Sequence, residues 1–276
     1  MDGLLPRPAP PEVRRLDDEP HFTVQHMIAS LRAAQGRTPD SYAIDETVVA
    51  TFIPGIWKRL LTLASAEPRD RWLFANEIAA VARGAHNGRQ LTLARLPQGA
   101  PAMAMVVEAL IATGARRIIA LGAAGSLQEH APIGSLVIPT AAVRGDGTSQ
   151  YYLPPERDAL ADPELCEALA ASCRTRGAEP LLGVCWSTDA LFRELKGEVA
   201  YYRSRGVLSV EMEAAALFSI ATFYGARAAL LLVISDELFR PWTPAFGNPL
   251  YRERFKLAQE IALDAAVRLP GEGPEP

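Results

Sequence analysis

Cysteine and histidine are scarce in this chain, with three of one and four of the other among 276 residues. Cys166, Cys173 and Cys185 form an odd set without Cys-x-x-Cys spacing. That excludes a disulfide framework and predicts small buried thiols in a reducing compartment. The histidines show no metal-ligand spacing, so no metal site is expected. Long hydrophobic runs are missing as well. The longest, Ala226 to Ile234, is broken by Arg227 and falls far short of the roughly 20 residues of a membrane span. No apolar leader segment opens the sequence, and the expected location is cytoplasmic. Basic excess is absent too: 28 Lys and Arg against 32 Asp and Glu give a net charge of −4, which argues against a nucleic-acid partner.

What remains is ordinary globular material, 49% hydrophobic and 22% charged, enough for one large α/β domain. Residues 1–20, with five prolines and mixed charges, read as a flexible arm, and residues 271–276 as a frayed tail. Residues 21–270 form the expected domain. The pattern predicts strands at 47–53, 91–96, 117–121, 135–138, 181–186 and 226–234. It predicts helices at 102–113 with Gly114 as C-cap, from Asp162-Pro163 to about Arg176, at 211–224, and at 249–269. Apolar strands alternating with helices imply a central mixed, mostly parallel sheet flanked by helices. Ligands of such sheets bind beyond the carboxyl ends of strands. That singles out Pro54-Gly55, the expected turn Gly122 to Gly125, Trp186 to Asp189, and Ser235-Asp236.

Each segment carries chemistry. Asp236, at the end of an apolar strand, sits where burial favours a protonated carboxyl. Glu211 and Glu213 are expected in the first turn of a helix. Two residues apart they are about 200° apart around its axis, so one faces a ligand while the other is structural. An anionic glutamate there is a bidentate acceptor for vicinal hydroxyls. Trp186 is a candidate stacking surface for a flat base. Gly122 to Gly125 does not satisfy G-x-G-x-x-G, and Thr140-Ala141-Ala142 stands where a dinucleotide site needs an acid.

In order, these segments resemble the family of purine nucleoside and uridine phosphorylases. Gly206 to Ala216, with its Glu-Met-Glu triplet, is similar to that family's ribose-binding segment, and Gly99-Ala100-Pro101 and Gly134 to Ile138 support it. The resemblance implies a pentosyltransferase that splits a nucleoside with phosphate into free base and ribose 1-phosphate. Glu211, Met212 and Glu213 would hold ribose, and Asp236 would act as general acid toward a leaving purine. Trp186, Ser187 and Asp189 would shape the base pocket, and Gly55, Arg59, Arg95 and Gly122 would bind phosphate. No cofactor beyond phosphate as co-substrate is implied. A homo-oligomer, dimer or hexamer, is implied, with His21 or His26 reaching a neighbour's ribose.

The sequence departs from that pattern at the phosphate end. Ala120 and Ala123 stand where an arginine and a serine or threonine are expected. Arg59, Arg95 or Arg144 would have to compensate; otherwise water is the nucleophile and the enzyme a nucleosidase, or the chain only binds nucleosides. Leu195 and Gly197 replace the glutamine and arginine of uridine phosphorylases, which leans the base choice to purine. Arg193 and Glu194 leave a different pyrimidine pocket open.

Overall fold

Thr47 to Thr51 is buried at every position and forms a strand covered on both faces. In the computed structural model, which describes residues 16–36, 38, 41–69, 72–74 and 78–268, eighteen helices and strands follow one another. In chain order they are α1 (Val24–Gln35), β1 (Thr47–Thr51), α2 (Trp57–Leu63), β2 (Glu67–Pro68), β3 (Ala80–His86), β4 (Arg89–Arg95), α3 (Ala100–Thr113), β5 (Arg117–Ser126) and β6 (Leu136–Gly145). Then come β7 (Ala159–Leu160), α4 (Pro163–Thr175), β8 (Leu181–Thr188), α5 (Lys196–Ser204), β9 (Ser209–Glu211), α6 (Ala214–Phe223), β10 (Arg227–Glu237), β11 (Thr243–Pro244) and α7 (Pro249–Arg268). The expected arm lies mostly, and the expected tail wholly, outside the described residues.

The architecture is one α/β domain on a mixed sheet of eleven strands, as the alternation predicts. The longest ladders, β5 with β10 and β6 with β8, are parallel. Because β10 pairs with both β5 and β6, the path β5–β10–β6–β8–β9 returns to β5 and closes a small barrel. From β5 the sheet extends outward through β1, β4, β3 and β2. Helix α3 packs on α6, and α4 on α7. Asp162 caps α4 by accepting from the Leu165 N–H at 2.9 Å, with Pro163 behind it, and Gly114 ends α3, as the sequence predicts. The three cysteines are buried and unpaired, and burial pushes the Cys166 and Cys173 thiols up to about 12.

Four local expectations change. Gly122 to Gly125 is not a turn: β5 runs through it to Ser126, held by β10 on one side and β9 on the other. Pro139 does not end β6. The strand continues past it, with the register against β8 shifting between Pro139 and Ala141, and a bulge of this kind accommodates proline. The helix expected from Glu211 begins at Ala214, because Ser209 to Glu211 is recruited as β9 between β8 and β5. An unforeseen strand, β3, pairs with β4 through Asn87-Gly88. Both turn residues have positive φ (47° and 78°), the tight two-residue hairpin geometry.

Candidate active site

The short strand β9 decides what the two glutamates do. Its pairing sets Glu211 opposite Ser187 on β8. The Ser187 hydroxyl donates to Glu211 Oε1, and the backbone N–H groups of Glu213 and Ala214 donate to Oε2 at 2.8 and 2.7 Å. Ser187 Oγ in turn accepts from Ala215 N–H at 2.9 Å. Glu211 and Ser187 therefore satisfy the start of α6 and present no free group to a ligand. Glu213 lies at the N-cap of α6, and its Oε1 accepts from Gly99 N–H at 2.6 Å, tying it to the start of α3. Both glutamates are buried. Burial raises the proton affinity of both glutamates; at Glu213 the charge of Glu211 adds to it, and at Glu211 the three donors offset only part of it.

Asp236 lies across β5 from β9. Gly125 pairs with Val210 on one side and Asp236 on the other. A Cβ on Gly125 would meet Leu238 at 2.3 Å and come to 3.3 Å from Asp236 Oδ2, so glycine is required for close approach. Ser235 Oγ lies 2.6 Å from Asp236 Oδ1, and the Trp242 indole N–H donates to Oδ2 at 2.9 Å. The charge of this carboxylate acts on two further groups. Glu194, half-buried on the loop after β8, is pushed up to about 7 by burial and then by the charge of Asp236. The Tyr251 hydroxyl on α7 is pushed up to about 12 by burial and then by the same charge. Trp242 and Phe246 nearby are both exposed, with ring centroids 6.4 Å apart.

The cations expected to take phosphate behave differently from one another. Arg59 on α2 donates to the Lys256 carbonyl and pairs with Glu260 on α7. Arg144 spends its guanidinium on Ser149 Oγ and on the carbonyls of Leu153, Pro154 and Arg157. Both are engaged by partners within the fold. Arg95 is different. It ends β4, two strands from Gly122 through the pairings of Thr51 with Arg95 and with Leu121, and its buried Nε has no hydrogen-bond partner among the described residues. Ala120 is fully buried in β5. Gly122 is packed under Leu232 and Phe52, and Gly55 sits in a short 3-10 turn before α2.

Trp186 is not open to a base. It is 3% exposed and stacks against Tyr202 at 4.7 Å in a small core with Leu127, Val199, Val207 and Val210. Asp189 accepts from Gly147 N–H at 2.8 Å and pins the loop after β6. His26 Nδ1 accepts from Thr23 N–H in the capping box of α1. Among the described residues no group of three or more His, Cys, Asp or Glu could hold a metal ion, and no helix is long and apolar enough to cross a membrane.

This fold and sequence have counterparts among known proteins. A model of the phosphorylase superfamily matches residues 50–269. The chain belongs to the phosphorylase superfamily. It is similar to the uridine phosphorylase of Escherichia coli (strain K12), 28% identical over 231 residues, covering 79% of this chain and 90% of that one. It is also similar to the uridine phosphorylase of Haemophilus influenzae, 30% identical over 159 residues. That match spans 52% of this chain and 63% of the relative, less than two thirds of the relative's length. The guanosine phosphorylase of Halorubrum lacusprofundi is 27% identical over 186 residues, 67% of this chain and 77% of that one. The crystal structure of uridine phosphorylase from Vibrio fischeri ES114 superposes with a TM-score of 0.73 at 25% identity, covering 83% of this chain and 95% of that chain. The family resemblance carried by Ser209 to Ala215 is thus borne out, and the chain is an enzyme of the pentosyltransferase kind.

Sequence reasoning missed Trp242, whose indole N–H holds Asp236. A tryptophan between prolines, Pro241-Trp242-Thr243-Pro244, six residues past a candidate acid, was the available signal for it.

Proposed function

We propose that the chain is a nucleoside phosphorylase that splits the N-glycosidic bond of a nucleoside, preferably a purine nucleoside, with inorganic phosphate, giving free base and ribose 1-phosphate. The observation that carries this reading is that Gly125 on β5 is flanked by Asp236 of β10 on one side and on the other by β9, the strand that leads into Glu213 at the start of α6; Glu213 would serve the sugar hydroxyls and Asp236 the base. Met212, next to Glu213, lines the sugar, and Asp236 supplies the proton for the leaving base. Relatives named for uridine and for guanosine or purine nucleosides both support base release, and Leu195 and Gly197 favour purine. Arg95, with its unpartnered Nε, is the residue best supported for phosphate. The buried unpaired thiols support a cytoplasmic setting. The aromatic surface of Tyr152, Phe223 and Tyr224, its last two members partly exposed, supports a homo-oligomer.

A second reading, hydrolysis by water, is favoured by Ala120 and Ala123, which give a phosphate dianion no donor side chain. Arg95→Met separates the two. Loss of one charge-assisted contact of about 1.5–3 kcal/mol should raise the KM for phosphate roughly 10- to 100-fold and leave the KM for nucleoside unchanged. Steady-state kinetics with phosphate varied at saturating nucleoside measure it. An unchanged KM for phosphate removes Arg95 from the site, and turnover independent of phosphate replaces phosphorolysis by hydrolysis.

A further inference from the structure

We propose that Trp242 is the stacking surface for the leaving base, and that its indole N–H sets the carboxyl of Asp236 against that base's edge. The inference rests on the functional reading above and assigns the base platform within it. Trp186 leaves that role open, since it is 3% exposed and stacked on Tyr202. Trp242 is its opposite. Its ring is 62% exposed while its indole N–H donates to Asp236 Oδ2 at 2.9 Å. Phe246, 60% exposed, lies beside it with the ring centroids 6.4 Å apart and the planes at 48°. Two large aromatic rings left open together beside a carboxyl make an apolar wall suited to a flat partner.

The segment that carries the indole is held by other groups. Strand β11 pairs with the end of β10, setting Pro244 opposite Asp236 and Thr243 opposite Glu237. The Ala245 N–H donates to the Ser235 carbonyl at 2.8 Å, and Arg203 donates to the Phe239 carbonyl at 2.9 Å. Arg240 pairs with Glu237. The ring is therefore presented on a fixed strap, and its N–H is spent on Asp236. An N–H lies in the plane of its ring, so the indole meets the carboxyl edge-on. A purine that meets the same carboxyl by its N7 edge is edge-on as well. Two flat groups sharing one carboxyl in this way lie face to face, the offset-stacked arrangement that aromatic pairs prefer. A purine covers more of the indole than a pyrimidine does, which agrees with the purine preference proposed above.

Trp242→Leu and Trp242→Phe separate the two roles. Trp242→Leu removes ring and N–H together, and the KM for inosine should rise roughly 10- to 100-fold with the KM for phosphate unchanged. Trp242→Phe keeps a ring and loses the N–H, so the KM for inosine should stay within about threefold while kcat falls roughly 3- to 10-fold. Hypoxanthine, titrated without phosphate, should quench the tryptophan fluorescence of the wild type. The quenching should disappear in Trp242→Phe, which retains Trp57, Trp72 and Trp186. An unchanged KM for inosine in Trp242→Leu would overturn the stacking, as would equal quenching in Trp242→Phe. A KM for phosphate raised as much as that for inosine would overturn it too, because the whole site would then be disturbed. Wild-type kcat in Trp242→Phe would remove the hold on Asp236. A wild type inert on every nucleoside but quenched by hypoxanthine through Trp242 would reject the functional reading and keep the stacking, so the two failures are distinguishable.

Discussion

Glu213→Gln is expected to lower kcat/KM for a ribonucleoside by roughly 10²- to 10³-fold while leaving the melting temperature within a degree or two. Glutamine keeps an oxygen for the Gly99 N–H, which Glu213 Oε1 binds at 2.6 Å, so the link between α3 and the start of α6 survives. What is lost is one acceptor oxygen, because the amide nitrogen that replaces it only donates. Each ribose hydroxyl left without its acceptor costs about 1–3 kcal/mol, and each 1.36 kcal/mol is a factor of ten. Kinetics with a ribonucleoside and its 2′-deoxy analogue check the assignment. The wild type should prefer the ribonucleoside, and the variant should discriminate much less. An unaltered preference would remove Glu213 from the sugar site.

Glu211→Ala is expected to do the reverse, unfolding the protein earlier with catalysis per folded molecule less affected. The glutamate is 5% exposed and answers three donors: the Ser187 hydroxyl and the N–H groups of Glu213 and Ala214. Removing it orphans buried donors at about 1–3 kcal/mol each and strips α6 of its cap. Water entering the space offsets part of this, leaving a loss of about 3 kcal/mol, or roughly 6–12 °C in melting temperature. Calorimetry on Glu211→Ala and Glu213→Gln side by side measures the division of labour. Equal melting temperatures would contradict the capping role.

Local signals were legible in the sequence. Asp162-Pro163 opens α4 and Gly114 closes α3 where their chemistry dictates, since caps depend on a few adjacent residues. The Glu-Met-Glu triplet carried the family resemblance, but its internal geometry was hidden. Three residues form β9 only because Cys185 to Ser187 and Gly125-Ser126 arrive from distant parts of the chain. Gly122 and Gly125 read as a turn because glycine is common in turns. Their actual reason, space under Phe52 and Leu232 and beside Leu238, is tertiary. The arginines were equally opaque. Arg59, Arg95 and Arg144 look alike in sequence, and only the fold reveals that Glu260 and four loop contacts engage two of them while Arg95 Nε is left unpartnered. Trp186 was opaque in the same way, since only the fold shows Tyr202 stacked against it.

The central claim is phosphorolysis at the Glu213–Asp236 edge, and its most direct measurement is base release from inosine, adenosine, guanosine and uridine with and without inorganic phosphate. The expected result is release from at least one purine nucleoside, dependent on added phosphate, with ribose 1-phosphate formed in equal amount. Equal release without phosphate, or no release from any nucleoside, would contradict it.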